Sequence, residues 1–222
     1  MRARAPAKGA SPTRERVLDA SLRLFNERGV QHVSTNHIAD ETGISPGNLY
    51  YHFRHKEDIV LALYRRYEVR AAAAMNVPDA EQVSIDDLWL LVHLAFEAIQ
   101  EFRFLFRDLS DLNAEYPSLR ERFVANLEGG IVRTEAFLMR LAADGQLDAT
   151  KMEVEALAVN MVLVSTYWLA LQAVRNDRAR ATSTRDEDLA RGVYQVLSLI
   201  TPYLEGPART AMRREARRYV AG

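Results

Sequence analysis

Residues 34–58 read STNHIADETGISPGNLYYHFRHKED, and their order dictates two short helices joined by a tight turn. Ser34 and Thr35 bring hydroxyls that can cap a helix ending near Thr42, on which Ile38 and Ala39 face inward. Gly43 has the backbone freedom to end that helix in a left-handed turn, and Ile44 can fill the corner. Ser45 and Pro46 restart the chain as N-cap and first-turn residue of a second helix, a pairing that suits amides otherwise lacking partners. Leu49 and Phe53, four apart, lie on its inner face, leaving Gly47, Asn48, Tyr50, Tyr51 and His52 on the others. This spacing predicts a helix-turn-helix.

The outward positions suit DNA. Gly47 lets backbone approach closely, Asn48 can pair with a base edge or phosphate, and the two tyrosines offer flat rings with polar tips. Lys56 stands where the next helix begins, so its ammonium and the leading amides can hold one phosphate together. Upstream, a helix from about Thr13 to Arg28 with Leu18, Leu22 and Phe25 on one stripe completes a three-helix head, closed by Gly29. Downstream, Glu57 and Asp58 favour the start of a long helix reaching about Met75, which would link the head to the remainder.

Residues 13 to 60 resemble the TetR-type transcriptional regulators, with Leu49, Tyr50, His52, Phe53 and Lys56 at spacings far more specific than a generic helix-turn-helix. The rest of the chain resembles that family only in length and helical character. The resemblance implies phosphate contacts from Thr35, Tyr51, His52 and Lys56 and base-edge contacts from Asn36, Gly47, Asn48 or Tyr50. Ser45, as N-cap of the recognition helix, is counted with the same surface. For Tyr50 the alternative is a partly buried packing role, and for Asn36 a solvated first-turn position.

Charge is divided unevenly along the chain. Residues 1–56 carry nine Lys or Arg against five Asp or Glu, and the remainder twenty against twenty-five, so polyanion binding belongs at the amino end. A basic tail over residues 1–11, with Arg2, Arg4 and Lys8, can follow a phosphate backbone or enter a minor groove, or simply aid solubility. It contains no apolar run of the kind a secretory signal needs. The chain has no cysteine, which removes disulfides and thiolate chemistry and fits a reducing cytoplasm. His32, His37, His52 and His55 gather in the head, but without an H-E-x-x-H pattern they do not predict a metal site. Neither a G-x-S-x-G elbow nor a phosphate-binding glycine loop occurs, so neither catalysis nor a cofactor is expected.

Helical periodicity continues through the remainder, predicting helices at about 84–101, 103–115, 118–143, 150–176, 186–204 and 207–220 after a break at Val77 to Ala80. The expected fold is all-α: a tail at 1–11, a helix-turn-helix domain at 12–57, and a larger helical bundle at 58–222 for ligand binding and dimerisation. Ala156 to Val174 runs nineteen residues without a formal charge, but Asn160, Ser165, Thr166 and Gln172 interrupt it and no second span accompanies it. A helix at the centre of a bundle, also used for self-association, accounts for it better than a membrane span. Leu189, Val193, Leu197, Ile200 and Leu204 share one face of a later helix; with the 150–176 helix they predict a four-helix interface between two copies, or packing inside one subunit.

The bundle is rich in large apolar side chains. Among them Trp89, Phe96, Phe106, Phe123 and Trp168, with His93, Asn160, Ser165 and Thr166 as polar interruptions, are candidate effector contacts. An uncharged, bulky wall argues for a hydrophobic or amphipathic effector. The resulting expectation is a cytoplasmic, homodimeric, ligand-responsive regulator, a repressor released from an inverted-repeat operator by a small hydrophobic effector. The alternatives are a small-molecule-handling helical enzyme and an effector-independent DNA-binding protein.

Overall fold

The computed structural model describes residues 11–74, 83–175 and 185–220. The basic amino-terminal tail, the break at Val77 to Ala80 and the side chains from Glu215 onward lie outside them. Two compact units divide between Arg65 and Arg66.

The first unit holds α1 (Pro12–Arg28), a short 3-10 turn (Val30–His32), α2 (Thr35–Thr42), α3 (Pro46–His52) and the opening turns of α4 (Lys56–Ala74). Phe25, Val30, Ile38, Ala39, Leu49, Ile59 and Leu63 are buried together, one apolar face from each element. The Arg16 guanidinium donates to the Thr42 carbonyl at 2.6 Å, fixing α1 to the end of α2. Because Ile59, Val60 and Leu63 belong to this core, the unit extends well into α4 rather than ending at residue 57.

The second unit begins in α4 and continues through α5 (Ile85–Glu101), α6 (Arg103–Arg107), α7 (Leu109–Glu115), α8 (Pro117–Ala143), α9 (Lys151–Arg175), α10 (Arg185–Ile200) and α11 (Gly206–Val220). The single helix expected over 103–115 is broken at Asp108, whose carboxylate is held by the Arg107 guanidinium through two contacts of 2.8 Å. α9 packs against α6, α8 and α10, and α10 against α5, α9 and α11. The loop after α8 is tied to the 3-10 turn that follows α10 (Thr201–Tyr203) by Asp148 N–H donating to the Tyr203 carbonyl at 2.8 Å. α10 passes so close to its neighbours that a Cβ on Gly192 would lie 2.2 Å from Phe96 Cε1 and 2.8 Å from Trp168 Cδ1. Glycine is required there for close approach, not for its backbone angles.

The expected interface is corrected by the burial of α10. Val193, Leu197, Ile200 and Leu204 are all buried within one subunit, so their periodicity reports internal packing. The unpartnered apolar stripe lies on α9 instead: Val159, Leu163, Tyr167 and Leu171 recur every four residues and are about half exposed, with Val174 beyond them. Val132 and Met139 on neighbouring α8 are exposed as well. α9 is the one helix among the described residues long and apolar enough to cross a membrane; its buried side faces the bundle and its remaining apolar side chains form this stripe.

Candidate functional site

Capping decides where α2 and α3 begin and end. Ser34 Oγ accepts from His37 N–H at 3.2 Å, while His37 Nδ1 accepts from Ser34 N–H at 3.3 Å, a reciprocal capping box with histidine in the place usually taken by Glu or Gln. At the other end of α2, Gly43 adopts φ +65°, and its N–H and that of Ile44 donate to the carbonyls of Asp40 and Ala39. Ser45 Oγ then accepts from Asn48 N–H at 3.2 Å and starts α3, with Pro46 in its first turn. Backbone and hydroxyl groups thus cap both helices at the turn.

Leu49 and Phe53 anchor α3 in the core, and Arg14 places its guanidinium 4.9 Å from the centre of the Phe53 ring. Tyr50 is 58% exposed and Tyr51 85% exposed, too much for packing residues. Asn36, Ser45, Gly47 and Asn48 are exposed, Thr35 is half-buried, and space around Gly47 is open. His52 is half-buried with its ring edge-on to Tyr51 at 5.2 Å. Lys56 is the exception to the outward pattern: its ammonium donates to the Val30 carbonyl at 2.9 Å, bracing the 3-10 turn. An ammonium has three donors, so that bond leaves capacity for a phosphate.

In the second unit a partly open cavity of about 530 Å³ is lined by α4, α5, α8 and α9, with one side chain each from α6 and α10. Of the candidate effector contacts, Phe106, Phe123, Ser165 and Thr166 line it. Trp89, His93, Phe96, Asn160 and Trp168 do not. On α5 the lining face is Leu88, Leu91, Val92, Ala95 and Ile99, which turns Trp89 and His93 onto a neighbouring face, where their rings stack at 5.2 Å. Phe96 and Trp168 are fixed against Gly192, and Asn160 is exposed beside Val159.

The wall is not uncharged, contrary to the composition of its apolar helices. Glu68 and Arg133 line the cavity together with Tyr67, Asn126 and Thr134. Burial pushes the Tyr67 phenol up to about 12, the Arg133 charge pulls the other way, and Glu68 adds to the rise. Tyr67 is therefore a neutral donor at ordinary pH. No group of acidic, histidine or cysteine side chains suited to a metal occurs among the described residues.

Two family models match the chain: one described as bacterial regulatory proteins, tetR family, over residues 17–63, and one described as bacterial transcriptional repressor over residues 66–212. The chain belongs to the TetR family. A TetR-family transcriptional regulator from Marinobacter aquaeolei is similar throughout, at 31% identity and TM-score 0.84, covering 94% of this chain and 99% of that one. The HTH-type transcriptional regulator UidR of Escherichia coli is 39% identical over 69 residues, which are 31% of this chain and only 35% of that relative. A gamma-butyrolactone receptor shares the fold at TM-score 0.64 and 18% identity, over 93% of this chain and 96% of that one. TetR-family relatives are transcriptional regulators rather than enzymes, which sets aside the enzymatic alternative.

Proposed function

We propose that this chain is a cytoplasmic, effector-responsive repressor that binds an inverted-repeat operator as a homodimer. The observation that carries the reading is the exposed tip of α3, where Asn48, Tyr50 and Tyr51 project from a helix whose other face is anchored by Leu49 and Phe53. Asn36, Gly47, Asn48 and Tyr50 reach base edges, while Thr35, Tyr51, His52 and Lys56 hold phosphates and Ser45 keeps the helix start in place. Two copies meet through the exposed α9 stripe and its α8 neighbours Val132 and Met139, burying apolar surface that one subunit leaves in water.

The cavity supplies the effector site. α4 contributes Ile59 and Leu63 to the head core and Tyr67, Glu68 and Ala71 to the cavity wall, so a ligand that displaces its second half acts on a helix rooted in the head. An effector that prefers the displaced state lowers operator affinity by its differential affinity for the two states. The test is fluorescence anisotropy on operator DNA recovered by selecting bound genomic fragments. Tyr50→Ala and Lys56→Ala should each weaken binding, and only Lys56→Ala should also reduce the dependence of log affinity on log salt, by about one unit. Undiminished affinity in both variants would refute the assignment.

A further inference from the structure

The cavity combines a long apolar wall with an arginine, Arg133. Leu88, Val92, Phe106, Phe123, Phe137 and Met161 make the apolar surface. Glu68 also lines the cavity, and its carboxylate is ion-paired with the Arg122 guanidinium rather than with Arg133. No hydrogen bond or ion pair to the Arg133 guanidinium is found among the described residues. The guanidinium lies over Gly129, one turn earlier on α8, where a Cβ would stand 3.0 Å from Arg133 Nη1. Beside it, the Tyr67 phenol keeps its proton through the physiological range and is a donor, not a second anion. The guanidinium is a donor only and carries a fixed positive charge, and its planar fork matches a carboxylate.

We infer that the effector is an amphipathic monocarboxylate, its head held by Arg133 and its apolar body laid along Phe106, Phe123, Phe137 and Met161. This deepens the proposed function, because it rests on the cavity being the effector site. Arg133 is an exposed residue, so solvent screens the pair and keeps its contribution small. A cavity of about 530 Å³ falls within the range of small-molecule sites.

Calorimetric titration of the full chain with decanoate, 1-decanol and decyltrimethylammonium separates head charge from apolar length. Decanoate should bind about tenfold more tightly than decanol, and the cation most weakly. Arg133→Gln should abolish that preference and Arg133→Lys restore part of it, while decanol affinity stays level across the variants and thereby reports an intact cavity. Equal binding of decanoate and decanol to the parent chain, or a full preference surviving in Arg133→Gln, overturns the inference and leaves the cavity as effector site. If none of the three probes binds, both the inference and the effector-site reading fall.

Discussion

The head and the bundle use helical periodicity in opposite ways. In the head each short helix has one apolar face, that face is buried, and the positions left outside are the ones available to DNA. In the bundle the helices are longer, and their apolar residues divide among core, cavity wall and outward stripe. α9 shows all three: Val154, Leu157 and Ala158 are core, Met161, Val162 and Thr166 line the cavity, and Leu163, Tyr167 and Leu171 face outward. An apolar pattern identifies the buried side of an element with one neighbour, but underdetermines the roles of an element surrounded on most sides.

The largest test of this contrast falls on the head, whose single small core has little reserve. Phe25→Ala empties a site that is fully buried and should cost about 3–5 kcal/mol, removing operator binding along with the head's cooperative unfolding transition. If urea titration found the head barely destabilised, the claim that one tight core supports the recognition surface would be wrong. A smaller loss is expected from Gly192→Ala in the bundle. The new methyl meets two aromatic rings that must shift, so despite alanine's better helix propensity the variant should lose about 1–3 kcal/mol in the same assay. An unchanged midpoint would mean that Phe96 and Trp168 yield freely.

The smallest effect concerns the cavity wall and is read through pH. The folded-state pKa of Tyr67 is raised from 10.0 to about 12, so its contribution to stability is complete below pH 10 and is lost as pH rises through 12. Between pH 9 and pH 11 the parent chain should lose about 1 kcal/mol more stability than Tyr67→Phe, since the unfolded phenol ionises first. Parallel losses in the two chains would indicate that this phenol is not sequestered.

Much of the head was legible in advance because its signals are local. Ser34, Gly43, Ser45 and Pro46 act within four residues of themselves, and the helix ends expected near Thr42 and Pro46 lie where those residues stand. His37 escaped notice as a capping partner because its role is normally taken by Glu or Gln. So did the internal bond of Lys56, since Val30 lies twenty-six residues away in the chain. In the bundle the helices themselves were legible, apart from the break at Asp108 and the end expected at 204, where α10 gives way to a 3-10 turn after Ile200; the candidate cavity residues rest on size and polarity alone. That criterion found Phe106, Phe123, Ser165 and Thr166; it could not separate the α5 face bearing Val92 from the adjacent one bearing Trp89 and His93. It also passed over Arg133 and Glu68, which ordinarily read as solvated helix positions.

From residue order alone came the all-helical class, the three-helix head and its exposed tip, because caps, turns and a short amphipathic period are properties of contiguous residues. Tertiary structure alone decided that α10 turns inward, that α9 offers the bare stripe, and that Arg133 lines a cavity. Those outcomes depend on which helices become neighbours, and packing partners far apart along the chain leave no mark in the local pattern of either one.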